Sequence, residues 1–161
     1  MIVAEFTVRV LTKRDYDYED VLKDIEALAQ GYVEESGLSI SFNRPRAAAN
    51  IRNFVESDSS DVIVLFNGRD AVGVVCLVFE ALWSLEEFCM LYLFYIEPEF
   101  RNHLSSSKLF SSAMRMASRR DATHIFANTM VRMGDRVTKS YETLLKFNGF
   151  SEISPVYVKD I

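Results

Sequence analysis

The run Phe88–Ile96 constrains the fold of this chain more than any other segment. Its residues, FCMLYLFYI, are apolar at odd and even positions alike. A strand of that kind must be covered on both faces, because either face left wet would expose a row of large apolar side chains. Pro98 closes the run, since proline cannot donate to a sheet ladder. A polar turn then leads into a helix from about Ser105 to Arg120, marked by Leu109, Phe110, Ala113, Met114 and Ala117 at helical spacing. His124–Ala127 follows as a short strand. Strand, crossover helix and strand make a βαβ unit, so the two strands should lie parallel.

The other elements fit around that unit. Glu5–Leu11 alternates and predicts a first strand. Val21, Leu22, Ile25, Leu28 and Tyr32 predict a helix that opens on Asp17, Glu19 and Asp20 and ends at Ser36-Gly37. A shorter helix follows, with Pro45 in its first turn. Val62–Phe66 and Ala71–Phe79 flank Asn67-Gly68, which predicts a hairpin with a type I′ turn. Val137, Tyr141, Leu144 and Leu145 mark a further helix, with Asp135 as N-cap and Gly149 as a left-handed stop. Val156–Val158 predicts a last strand. No linker, repeat or low-complexity stretch interrupts this order. Residues 1–161 therefore read as one mixed α/β domain: a mostly antiparallel sheet, one parallel βαβ unit, and helices on both faces.

No apolar run reaches the roughly 20 residues of a membrane span, and Met1 leads into alternation rather than a leader pattern. An intracellular, cytoplasmic protein without a membrane partner is the expectation. Cys76 and Cys89 each lie in an apolar run and read as buried thiols; a turn near Leu82–Trp83 could bring them face to face in a disulfide. His103 and His124 lack companions at metal-ligand spacing, so no metal site is expected. The net charge of −5 hides an asymmetry: residues 1–97 carry 8 basic against 17 acidic side chains, and residues 98–161 carry 10 against 6. The acidic total argues against a nucleic-acid binder, and Arg115, Arg119 and Arg120 read as one solvated helix face. The basic half suits an anionic ligand.

Function should sit at the βαβ junction. There a turn opens straight into a helix, whose free N–H groups and dipole favour an anion such as phosphate. A capped helix start, with Ser105–Ser107 offering the cap, explains the same pattern without a ligand. The residues of the junction read Ile96-Glu97-Pro98-Glu99-Phe100-Arg101-Asn102-His103-Leu104-Ser105-Ser106, followed by Lys108. A later helix closes in Lys146-Phe147-Asn148-Gly149-Phe150. Together, at this separation and within this order of elements, the two segments resemble the GNAT N-acetyltransferase superfamily over nearly the whole chain.

The resemblance implies acetyl-CoA as cofactor. It places the pyrophosphate on Arg101, Asn102, His103, Leu104, Ser105, Ser106 and Lys108, and the pantetheine arm on backbone near Phe94 and Ile96 with Asn128 opposite. Leu104 and Ser106 stand where the family carries glycine, or glycine and alanine. Leucine forced to positive φ would cost roughly 1–2 kcal/mol, and two lost amide bonds would weaken the cofactor by about two to four orders of magnitude. The family's acid tyrosine position is held by Leu145; Tyr141, one turn earlier, is the catalytic candidate on the same face. Glu87 and Glu97 bracket the central strand, and neither position identifies a general base. Two functions follow from the resemblance. One is N-acetyl transfer to a small-molecule or peptide amine, with the acidic first two helices shaping a site for a cationic acceptor. The other is a catalytically inactive scaffold that binds protein partners in a larger assembly such as a viral particle.

Overall fold

Among the described residues, the hydrophobic spacing resolves into four α-helices packed on a five-stranded sheet. The structure, a computed structural model, describes residues 5–37, 40–81, 87–127 and 134–152. The elements run β1 (Phe6–Val10), α1 (Tyr18–Glu35), α2 (Arg44–Glu56), β2 (Ser60–Asn67), β3 (Asp70–Glu80), β4 (Phe88–Ile96), α3 (His103–Arg119), β5 (His124–Ala127) and α4 (Gly134–Phe147). The strands lie in sequence order. β1 to β4 pair antiparallel, and β4 pairs parallel with β5, as the βαβ reading requires. The predicted strand Val156–Val158 and the turn near Trp83 lie outside the described residues.

Alternation along the strands builds a core on each side of the sheet. Val62, Val64, Val74 and Cys76 face α1 and α2, meeting Leu22, Ile25, Leu28 and Ile51. Ile63, Leu65, Val75, Leu77 and Cys89 face the other way, against Leu109, Phe110, Ala113 and Leu145. Ala113 and Ala117 have no exposed surface, and their small side chains let α3 lie close on the sheet. No helix among the described residues is long and apolar enough to cross a membrane.

Several local expectations change. The two cysteines are free, and they belong to cores on opposite faces of the sheet; Cys76 pairs with Leu93 and Cys89 with Phe79. No disulfide can join them, and burial pushes both thiols up to about 12. The hairpin turns on Gly68-Arg69 between the paired Asn67 and Asp70, with positive φ at Gly68 alone. That is the pattern of a type II′ turn, not I′. Asp135 falls inside α4 instead of capping it. Gly149 does adopt the left-handed conformation expected of a helix stop, at φ 84°. Arg120 leaves the solvated stripe of α3 and pairs with Asp61 on β2 at 2.9 Å.

Candidate functional site

The ladder of β4 is irregular on the side of β3, and on the side of β5 its described pairing covers only the first half of the strand. On the β3 side the register passes from Leu77↔Leu91 to Cys76↔Leu93, leaving Tyr92 as an extra residue in a β-bulge. On the β5 side pairing runs only from Phe88↔His124 to Leu91↔Ala127. Beyond Leu91, β4 continues to Ile96 paired with β3 alone among the described residues. The Glu97 N–H bonds back to Val72 on β3, so the alternation of the strand turns the backbone groups of Ile96 and Phe94 toward the open side. The Ile96 carbonyl there accepts from Arg101 Nε at 2.7 Å.

The chain then turns through Pro98–Phe100 and enters α3 two residues earlier than its spacing suggests. Asn102, not a serine, is the N-cap: its side chain accepts from the Ser105 N–H, and the Ser105 hydroxyl accepts from the Asn102 N–H. This reciprocal capping box, with the Ser106 N–H on the Asn102 carbonyl, consumes three loop amides. The N–H groups of His103 and Leu104 have no partner among the described residues and remain for a ligand. Leu104 is 47% exposed and has helical φ; among described non-glycine residues only Asp121 has positive φ. The expected backbone strain at Leu104 is therefore absent, because starting the helix at His103 removes the need for a left-handed residue.

The two basic side chains assigned to phosphate are committed elsewhere. Arg101 forms a two-pronged ion pair with Glu35 at the end of α1, at 2.7 and 2.8 Å, and lies 5.2 Å over the Tyr95 ring. Tyr95 donates its hydroxyl proton to the same carboxylate at 2.7 Å. Arg101 holds the Glu35 carboxyl below its ordinary range, and burial followed by the Glu35 bond pushes the Tyr95 phenol up. Lys108 reaches back to the Phe6 carbonyl on β1 at 2.6 Å. His103, exposed at the first turn of α3, is left as the side chain nearest the open amides. Asn128 lies outside the described residues.

Gly31 of α1 makes this network fit, since a Cβ there would stand 2.6 Å from the Tyr95 hydroxyl. Gly31→Ala gains about 1 kcal/mol of helix propensity. It should nonetheless lose about 2 kcal/mol net, through overpacking and displacement of the bond to Glu35. Urea denaturation measures this, and a stabilised variant would contradict the packing described.

From the other face, Tyr141 of α4 stacks on Phe94, ring centroids 5.5 Å apart, which sets its ring against the second half of β4. Burial pushes that phenol up, which keeps it protonated. Leu145, the position the family gives to its acid tyrosine, is buried in the core. Glu87 is at the opposite end of β4 from this opening. Glu97 stands at the near end, and burial with neighbouring Glu99, Asp24 and Asp70 raises its carboxyl.

This order of strands and helices, with one parallel pair at β4 and β5, is shared with solved acetyltransferases at the level of the fold. The chain is similar to a GNAT family acetyltransferase from Staphylococcus aureus, at 15% identity and a TM-score of 0.69 over 97% of this chain and 98% of that one. The chain has the GNAT fold. Aminoglycoside N-acetyltransferase AAC(6')-Iy in complex with CoA gives 13% identity and a TM-score of 0.74 over 99% and 96%. A ribosomal-protein-alanine N-acetyltransferase from Brucella melitensis gives 12% and 0.69 over 98% and 99%. No family model matches the sequence, and no curated protein matches it.

On the opposite side of the GNAT sheet from α4, a cavity of about 710 Å³ lies between α1, α2 and the bulge. Tyr32, Phe42, Phe54 and Tyr92 wall it, and Val74 and Cys76 floor it. Sequence spacing places Tyr32 and Phe54 on helix stripes without showing that space remains between them. The same holds for Glu35–Arg101, a pair 66 residues apart that no local pattern announces.

Proposed function

We propose that this chain is a CoA-thioester-dependent N-acyltransferase. The observations that carry the reading are the end of β4, which beyond Leu91 has no fifth-strand partner among the described residues, the α3 start that follows it with the amides of His103 and Leu104 unpartnered among the described residues, and the Tyr141 ring stacked on Phe94. These groups fit coenzyme A. The strand edge offers amide partners to a pantetheine arm, and the two amides, aided by His103, can hold a phosphate. The cofactor would supply an acyl group already activated as a thioester. The acceptor amine, delivered as ammonium, gives up two protons on becoming an amide: one goes to solvent and one ends on the released thiol. Formation of the C–N bond and breakage of the C–S bond complete the exchange. In this reading Tyr141, kept protonated by burial, hands over the thiol's proton.

Phosphate binding should be weak, because Arg101 and Lys108 are occupied and the capping box holds three amides. Calorimetric titration is expected to give a Kd for acetyl-CoA of roughly 0.1–1 mM, about what one or two charge-assisted amide bonds add to an apolar arm. No heat at several millimolar would overturn the reading. The same self-satisfied loop favours a second reading, a scaffold that keeps the GNAT fold without catalysis, and that titration separates the two.

A further inference from the structure

The cavity between α1, α2 and the sheet has a charge pattern unlike that expected from the acidic first half of the chain. Several carboxylates on and beside the first two helices are held by partners: Asp17 by Arg9, Glu19 by Arg52, Asp20 by Lys23 and Glu35 by Arg101, while Glu56 accepts from Tyr18. No carboxylate lines the cavity among the described residues. Its one charged lining residue is Arg46, in the first turn of α2. The Arg46 backbone N–H is held by the Asn43 side chain, which fixes that turn. Its guanidinium has no hydrogen-bond or ion-pair partner among the described residues, whereas those of Arg9, Arg52, Arg101 and Arg120 all have one.

We propose that this cavity takes a small amphipathic amine with an aromatic or branched apolar body and one carboxylate. The body would rest against Phe54 and Tyr92, whose rings stand 5.2 Å apart, and the carboxylate would pair with Arg46. The amine end would lie toward the bulge, where Tyr92 and Leu93 line the cavity and the next residue, Phe94, carries Tyr141 on its far side. The inference deepens the transferase reading and rests on it for the acceptor role. It excludes polycationic amines as acceptors, since an apolar wall with a single guanidinium repels them and gives their charge no partner.

The test uses the full chain and three simple probes: 4-phenylbutyrate, 4-phenylbutylamine and spermine, titrated calorimetrically. Phenylbutyrate is expected to bind at least tenfold more tightly than phenylbutylamine, and spermine not to bind. Arg46→Gln should weaken phenylbutyrate about tenfold and leave phenylbutylamine unchanged. Ala47→Trp, which fills the cavity from α2, should abolish binding of both aromatic probes; circular dichroism of each variant confirms folding. Spermine or phenylbutylamine binding better than phenylbutyrate overturns the proposal, as does equal phenylbutyrate binding by Arg46→Gln. Coenzyme A is titrated in parallel. Its binding without any phenylbutyrate binding sinks the acceptor class and leaves the transferase reading standing. Phenylbutyrate binding without coenzyme A keeps the ligand chemistry and removes the transferase role.

Discussion

Tyr141→Phe is expected to lower kcat for acyl transfer by about 10²–10⁴-fold, the usual contribution of a positioned proton donor. Stability should stay within about 0.5 kcal/mol of wild type. The asymmetry follows from geometry. The ring packs on Phe94, which phenylalanine preserves, while the hydroxyl has no hydrogen-bond partner among the described residues. Burial holds the phenol protonated well above neutral pH, so the wild-type rate should show no loss from tyrosine ionisation at ordinary alkaline pH. KM for the acyl donor should change little, since the lost interaction arises only as the thiolate departs. Steady-state kinetics with acetyl-CoA and a thiol-trapping reagent, beside a thermal melt, gives both quantities. An unchanged kcat would remove Tyr141 from the chemistry and leave it as a core aromatic.

Arg101→Ala should cost about 2–3 kcal/mol of stability. It removes both bonds to Glu35, the bond to the Ile96 carbonyl and the contact with the Tyr95 ring together. It also leaves Glu35 half-covered without a cation. The pair is 23% and 29% exposed, and solvent screening keeps the loss at the low end of what breaking a buried pair costs. The sign of the pH effect is set by Glu35, whose folded pKa lies below its ordinary 4.5. Its contribution is fully present above that ordinary value and is lost as pH falls through the depressed one. Wild-type stability should therefore approach that of Arg101→Ala as pH is lowered below 4.5. Asp24 and Glu97 shift the opposite way, but they are common to both proteins and cancel in the difference. Urea midpoints from pH 7 to pH 3 test this. A constant gap across that range would mean that Glu35 is not the partner that matters.

Much of the fold could be read along the chain, because periodicity is a local property. The two-sided apolarity of Phe88–Ile96, the stripe on α3 and the left-handed stop at Gly149 each need only a few neighbours to declare themselves. Boundaries were less legible. α3 begins at His103 because Asn102 and Ser105 satisfy each other's amides, an exchange that competes with three adjacent serines offering similar caps. The candidate site was legible as a place and not as a set of contacts. Arg101 and Lys108 have the right charge beside the right turn, yet what a flexible cation binds depends on what folds against it, and that was Glu35 from α1 and the Phe6 carbonyl from β1.

By itself, then, the sequence determined the order of the described elements and the parallel βαβ unit, since both follow from hydrophobic spacing and backbone hydrogen bonding. Only the tertiary structure decided that Leu104 carries no strain and that Asp17, Glu19 and Glu35 are held in ion pairs with Arg9, Arg52 and Arg101. It alone showed a largely apolar cavity between α1, α2 and the bulge, lined by the Arg46 guanidinium, which has no partner among the described residues. Those depend on which side chains meet across tens of residues of chain, and a spacing pattern carries no record of that.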